Sequence, residues 1–282
     1  MQKHHILYIA ITALTLGGCG SAGNSLANAI TDPFTPKEGG YRQLSNIGSD
    51  EFTHTGLLPT IGSRQASTIR ITDDQFIGTQ NHEKDYSSRD TIPIGHKRQN
   101  AFTSLPYVLK DSSGNQMESG VLEVYKQAYS AVVGAQLHNR IEPGHPATPT
   151  RDFYVRSIQG EFTSNLPTQG IITYKGRAMT GSVTGSADHS NGLNYQIDYG
   201  ARKGHGSITG LNGFGNIDLA EAPITQNPHG HNVINGAANS ATHGAGNYEL
   251  GIFGPQANEI AGKAHFNNQP NKEVGFAGGR VN

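Results

Sequence analysis

The chain has one cysteine in 282 residues, so neither an internal disulfide nor a zinc–sulfur cluster can form. Charge is sparse, at 15% of residues with a formal net charge of −1, and nothing more basic than Lys97-Arg98 occurs. Nucleic acid, whose binding depends on neutralising phosphates, is excluded as a partner. The G-x-S-x-G elbow, the phosphate-cradling G-x-x-x-x-G-K-[ST] loop and the H-E-x-x-H helix are all missing. Gly204-His205-Gly206 lacks the third glycine and the following helix of a dinucleotide fingerprint. Asp188-His189-Ser190 sets catalytic residue types side by side, but adjacent residues seldom converge on one atom, and the tripeptide reads as a polar turn. No catalytic activity is expected. The one long apolar stretch, Ile6 to Leu16, falls short of the roughly 20 residues that a spanning helix needs.

That stretch has a different use. Lys3 supplies a positive start, the apolar run follows, and Leu16-Gly17-Gly18-Cys19 closes it. The order is similar to a bacterial lipoprotein signal, in which residues 1–18 are removed and Cys19 is acylated as the mature N-terminus. An ordinary secretory signal with an incidental cysteine is the other reading. Acylation leaves no thiolate nucleophile. In the lipoprotein pattern an Asp after the cysteine retains the protein in the inner membrane. Gly20 stands here, so the expected address is the outer membrane, lipid-anchored, with the folded part at the cell surface. Removing residues 1–18 takes away only Lys3 among charged residues and moves the formal charge from −1 to −2. Residues 19–40 are small and polar, broken by Pro33, Pro36, Gly39 and Gly40, which is the composition of a flexible tether.

The remainder reads as all-β. Glycine is plentiful, 37 residues, about twice the ~7% of an average protein. Leu193, Tyr195, Ile197 and Tyr199 alternate with Asn194, Gln196 and Asp198, the period of two that marks a half-buried strand. Eight short strands follow from such patterns: 171–179, 193–199, 206–211, 215–220, 232–240, 248–253, 259–266 and 273–277. Turn signals separate them: Asn191-Gly192, Lys203-Gly204, Asn212-Gly213, Pro228-His229-Gly230, Gly244-Ala245-Gly246 and Gly254-Pro255. An even count at regular spacing favours closure into an eight-stranded up-and-down antiparallel barrel, with a sandwich as the alternative. Gly176, Gly251, Gly262 and Gly275 fall inside strands, where a missing side chain relieves crowding in a tightly coiled barrel. Upstream, Gly120 to Leu137 and Asp152 to Ile158 are strand-like, whereas Tyr41 to Asn100 yields little beyond Ser67–Ile71. The expected division is an N-terminal β domain over 41–159 and a C-terminal barrel over 160–282.

At these residues a family resemblance becomes visible. Glu118-Ser119-Gly120, Val124-Tyr125-Lys126-Gln127, Gly160-Glu161-Phe162-Thr163-Ser164, Leu193 to Tyr199 and Tyr248 to Gly254 occur in order, followed by Glu259 to Ala264. Together they resemble the factor H-binding protein family of Gram-negative surface lipoproteins, nearly continuously from Met117 onwards and poorly over 40–113. The resemblance implies two β-barrel-like domains held outside the cell by a lipid and dedicated export machinery for surface lipoproteins. It also implies capture of a host serum protein, factor H, for immune evasion. One departure stands out. Where the family places acidic contacts for factor H, this chain has Gly244 and His265, leaving Glu249 and Glu259 as the nearby carboxylates for ligand binding. Loss of one partner of a desolvated charge pair costs about 2–5 kcal/mol.

Histidine is also abundant, 13 residues. His229, His231 and His243 lie in expected barrel loops or at strand ends, and neutral imidazoles of this kind can ligate haem iron. A haem-binding surface protein for iron acquisition is therefore the alternative function. The competing reading is solvated loop histidines, since the residues around 225–246 offer little apolar lining for a haem. His138 and His145, flanking the Pro-rich segment 145–149, invite the same two readings. A structural envelope lipoprotein facing the periplasm is the third possibility.

Overall fold

The computed structural model describes residues 40–52, 55–142, 144, 146–182 and 184–281. Cys19, the 1–18 signal, the tether up to residue 39 and His145 lie outside the described residues.

In chain order the first strands are β1 (Gln43–Leu44), β2 (Thr60–Ile61), β3 (Arg64–Gln65), β4 (Thr68–Thr72), β5 (Glu83–Ser87) and β6 (Ile92–Pro93). Longer strands follow: β7 (Ala101–Lys110), β8 (Gln116–Lys126), β9 (Ser130–Arg140), the short β10 (Thr148–Pro149) and β11 (Phe153–Gly160). β12 (Ile171–Gly181), β13 (Ala187–Asp198), β14 (Lys203–Leu211) and β15 (Gly215–Gln226) begin the second half. β16 (Asn232–Ser240), β17 (Gly244–Phe253), β18 (Glu259–Phe266) and β19 (Val274–Val281) complete it.

β12 to β19 form a closed barrel in sequence order, every neighbour antiparallel. All eight expected strands are present, and the barrel, not the sandwich, is the outcome. Closure joins β12 to β19, from Thr173 opposite Val281 to Met179 opposite Gly275. Alternation drives it. On β13 Leu193, Tyr195 and Ile197 are buried while Asn194 and Gln196 face solvent. The interior is filled by inward side chains such as Tyr174, Tyr195, Ile217, Leu250, Ile260 and Phe276, so it is a packed core. Its phenols are satisfied in pairs. Tyr174 and Tyr199 share a hydroxyl contact of 2.7 Å, Tyr195 and Tyr248 one of 2.9 Å, and Tyr174 and Tyr248 donate on to the carbonyls of Ala257 and Ala220. Gly176 shows why strand glycines are required: a Cβ there would sit 2.0 Å from the Ala277 carbonyl oxygen across the closing seam.

Several turn signals lie inside ladders instead. Asn191-Gly192 belongs to β13, Lys203-Gly204 opens β14 opposite Asp198 and Ile197, and Gly244 to Gly246 opens β17. Cross-strand pairing overrides local turn preference at Lys203-Gly204 and at Gly244 to Gly246, while Asn191-Gly192 falls at an irregularity in the β12–β13 register. Asp188-His189-Ser190 is likewise strand, not turn, paired with Thr180, Met179 and Ala178.

The N-terminal half is an antiparallel sheet ordered β10-β9-β8-β7-β4-β5, with β11 also pairing β9. One face, including Leu122, Val124, Val133 and Leu137, is covered by the irregular segments that carry Leu44, Ile47, Leu58, Ile92 and Ile94. The sheet ends at β5, whose Glu83 and Asp85 are held by Arg70 of β4 at 3.3 and 2.6 Å. Glu118, wholly buried, accepts from Tyr107, Arg140 and Arg156 at 2.6, 3.0 and 3.1 Å, so the one charge buried deepest is fully paired.

The other face packs on the barrel. Tyr125, Val132, Phe153, Val155 and Ile158 meet Met179, Val233, Phe253, Ala261 and Ala277 in one apolar cluster. Glu38–Asn282 is accordingly a single compact unit.

Candidate functional site at the junction of sheet and barrel

The two carboxylates flagged in the sequence occupy different environments. Glu259, at the start of β18, is 6% exposed. Its oxygens accept from the backbone N–H groups of Ala128 (2.9 Å) and Tyr129 (3.1 and 3.2 Å) and from the Ser130 hydroxyl (2.8 Å). The carboxylate therefore clamps the β8–β9 turn to the barrel, where a ligand has no access to it. Glu249 lies on the outer barrel wall with its side chain one-third exposed, and Lys263 approaches it to 3.7 Å. Gly244 and His265 lie at the same end of the barrel wall, one opening β17 and the other exposed opposite Asn247. No carboxylate comes from either position.

The histidines do not share a centre. His229 and His231 precede β16, and His243 follows it. The nine residues of β16 between them span roughly 30 Å at about 3.3 Å per residue, too far for His243 to share one iron with His229 or His231. His243 packs edge-on against Phe214 at 4.7 Å. His138 Nε2 lies 3.1 Å from the Gly185 carbonyl oxygen. Among the described residues no group of three or more His, Cys, Asp or Glu could hold a metal ion.

The Asp188-His189-Ser190 side chains also diverge. Asp188 accepts from the Asn212 amide at 2.6 Å. His189 stacks on Phe102 of the sheet with ring centroids 3.7 Å apart, its Nε2 3.5 Å from Glu123. Ser190 is buried. Only His189 reaches the sheet, and the three side chains do not converge on a common point.

His231 is the flagged residue that leads to a cleft. Its ring stacks on Phe162 with centroids 4.0 Å apart and planes 7° from parallel. Its Nδ1 lies 2.9 Å from Glu51. Three separate stretches meet there: the N-terminal segment through Glu51, the sheet–barrel linker through Phe162, and the barrel through His231. The linker is fixed by its backbone. Glu161 N–H donates to the Tyr129 carbonyl (2.8 Å), Gly254 N–H to that of Glu161 (2.7 Å) and Thr163 N–H to that of Ile252 (2.9 Å). Phe162 is thereby presented between Phe253, 4.5 Å away, and His231.

Beside this stack a cleft of about 520 Å³ opens, lined also by Tyr41, Ser45, Asp50 and Gln159. The Gln159 amide is locked: its oxygen accepts from Ser45 N–H (2.8 Å) and the Tyr41 hydroxyl (3.3 Å), and its nitrogen donates to the Ser45 carbonyl (2.6 Å) and Ser157 Oγ (2.8 Å). Burial pushes the Tyr41 phenol well up, and the nearby Glu161 and Asp50 charges push it further. Sequence reading missed Tyr41, Glu51 and Phe162, because residues this far apart carry no shared pattern. A second depression, about 700 Å³, lies on the N-terminal half beside Arg64 and Asp111, which pair at 3.2 Å.

Residues 164–264 match the family model described as factor H binding protein, C-terminal. The match runs from the linker to β18, so the resemblance holds for the barrel. Among solved structures, the chain is similar to intact Ap-TbpB with its N and C lobes: 14% identity over 77% of this chain and 46% of that one, TM-score 0.45. It is also similar to HpuA from Kingella denitrificans, solved in complex with human haemoglobin: 14% identity, 80% of this chain and 90% of that one, TM-score 0.38. Transferrin binding protein B from serogroup B Neisseria meningitidis matches at 14% identity over 77% and 44%, TM-score 0.44. The chain spans less than half the length of the two TbpB proteins it matches.

Proposed function

Starting from a barrel of the factor H binding protein C-terminal family, we propose that this chain is a surface receptor without catalytic activity. It is anchored in the outer membrane through lipid on Cys19 and captures a host serum protein, factor H. The family match over 164–264 carries the reading. A barrel interior filled to its core supports it, because a ligand then has only the outer surfaces to engage. Charge placement modifies it. With glycine and histidine at 244 and 265, the barrel wall lacks the carboxylates expected there, so polar pairing shifts toward the junction and the N-terminal sheet.

The experiment is a serum pull-down with the folded, lipid-free chain, followed by surface plasmon resonance against purified factor H. Retention of factor H is the expected result; an eluate without it removes the assignment. Anchoring is tested separately. Radiolabelled palmitate should enter the wild-type protein and not Cys19→Ser, and protease treatment of intact cells should degrade the folded part.

A further inference from the structure

The dipeptide Asn-Gly occurs three times, at 191–192, 212–213 and 235–236, and the fold treats the three differently. Asparagine is chemically labile, most of all before glycine. The glycine nitrogen can attack the asparagine side-chain carbonyl carbon when its own N–H is free and the backbone can turn toward it. Two of the three sites are enclosed by neighbouring strands. Gly192 N–H donates to Ser190 Oγ at 3.4 Å, and a Cβ at 192 would meet the Thr209 carbonyl oxygen at 2.2 Å. Asn235 and Gly236 pair with Glu249 and Tyr248 inside β16, and a Cβ at 236 would strike the Tyr248 ring at 2.5 Å. Each of these sites must open locally before its backbone can turn, and every ~1.4 kcal/mol of opening slows the reaction tenfold.

Asn212-Gly213 stands outside the strands, in the turn between β14 and β15. Both residues are exposed, and a Cβ at 213 would have no neighbour within 4 Å. The Gly213 N–H has no hydrogen-bond partner among the described residues, so base in solution reaches it. Its φ of +79° belongs to the region glycine enters freely, which leaves the turn a wide backbone range. Asp188 on β13 tethers the site through its side chain: Oδ2 accepts from Asn212 N–H at 2.6 Å and Oδ1 from Asn212 Nδ2 at 3.4 Å.

We propose that Asn212-Gly213 is a self-modification site of the folded protein, deamidating while Asn191 and Asn235 stay intact. Base takes the Gly213 amide proton, the nitrogen bonds to Asn212 Cγ, and the Cγ–Nδ2 bond breaks. The departing nitrogen regains a proton and leaves as ammonia, and a cyclic imide remains. Water then adds to either imide carbonyl and opens the ring to aspartate or isoaspartate. Both products place a carboxylate where the amide donated to Asp188, so an attraction becomes a repulsion between like charges. The reaction adds one negative charge to a chain of formal charge −1. The charge arises beside the next turn at that end of the barrel, where Phe214 packs on His243 at 4.7 Å and accepts from Thr242 N–H at 3.4 Å.

The test is incubation of the folded full chain at neutral and at alkaline pH, followed by peptide mapping with mass spectrometry. The peptide carrying Asn212 should gain the mass of an amide turned acid and split into two chromatographic forms, faster at alkaline pH. The peptides carrying Asn191 and Asn235 should react at least about tenfold more slowly and catch up once urea unfolds the chain. Equal rates at the three sites of the folded chain overturn the proposal. So does an unchanged Asn212 peptide under conditions where the unfolded chain reacts there. Asn212→Gln, at an exposed position, keeps an amide but demands a larger ring, and it should remove the acidic form seen on anion exchange. Persistence of that form in this variant also overturns the proposal. Asn212→Asp, one product made directly, should quicken hydrogen exchange across 211–215, and unchanged exchange would refute the repulsion from Asp188.

Discussion

Glu259→Ala tests the joint between sheet and barrel directly. The native carboxylate satisfies two backbone N–H groups, those of Ala128 and Tyr129, and the Ser130 hydroxyl. The hydroxyl can rotate to a new acceptor. The two N–H groups cannot, because the β8–β9 turn that holds them is closed by Gln127 N–H donating to the Ser130 carbonyl at 2.8 Å. Each buried donor left without a partner costs about 1–3 kcal/mol, with bonds to a charged acceptor at the upper end. Two such donors and the space left by the side chain bring the loss to roughly 3–5 kcal/mol. Total stabilities lie at about 5–15 kcal/mol, so this is a large fraction. At about 2–4 °C per kcal/mol for a unit of this size, the melting temperature falls by roughly 6–20 °C. Glu259→Gln keeps one acceptor oxygen and should lose about half as much. Scanning calorimetry and urea unfolding provide the measurement. A drop of under ~2 °C for the alanine variant would refute the clamp. Since the carboxylate is 6% exposed, ligand binding per folded molecule should be unchanged, which sets Glu259 apart from a contact residue.

Three further outcomes are expected. Gly176→Ala drives a methyl group into the Ala277 carbonyl across the closing β12–β19 pair and should cost ~1–3 kcal/mol or more; an unchanged urea midpoint would count against a tight seam. Burial pushes the phenols of Tyr174, Tyr195 and Tyr199 up, that of Tyr174 to about 12. The unfolded chain loses these protons near pH 10 while the folded chain keeps them. Stability fully present below about pH 10 therefore falls toward pH 12 by ~1.4 kcal/mol per pH unit per phenol, and equal urea midpoints at about pH 9 and pH 11 would contradict this. His231→Ala removes the Phe162 stack and the half-exposed Glu51 pair, a loss of about 1 kcal/mol. Hydrogen exchange should then quicken in the 160–164 linker while the barrel strands stay protected.

The barrel was readable from sequence where side chains alternate. Leu193, Tyr195 and Ile197 against Asn194 and Gln196 place one strand without further help, and the same pattern recurs around the cylinder. Strand ends were less readable. Gly192, Gly204 and Gly246 carry turn-type sequence, yet they lie within strands, where neighbouring backbone approaches too closely for a side chain: a Cβ at Gly192 or Gly246 would meet a backbone oxygen at 2.2 or 2.0 Å. Over 41–100 the failure has another cause. Leu44, Ile47, Leu58, Ile92 and Ile94 are core residues on irregular segments and two-residue ladders, too short to show any period. β5 is polar apart from the buried Tyr86, as suits an edge, so its composition resembles a loop. The cleft depends on Tyr41, Glu51, Phe162 and His231 converging, and only the histidine had a local signal.

The charged border at β5 bears on how neighbouring copies coexist. A closed cylinder of strands offers no template for lateral growth, whereas β5, Glu83–Ser87, is one edge of the N-terminal sheet at which a strand of a second molecule can add. An incoming antiparallel twin would bring its own Glu83 and Asp85 toward acids that Arg70 has already neutralised once, and like charges facing each other repel. Strand addition between copies at this edge is thereby disfavoured.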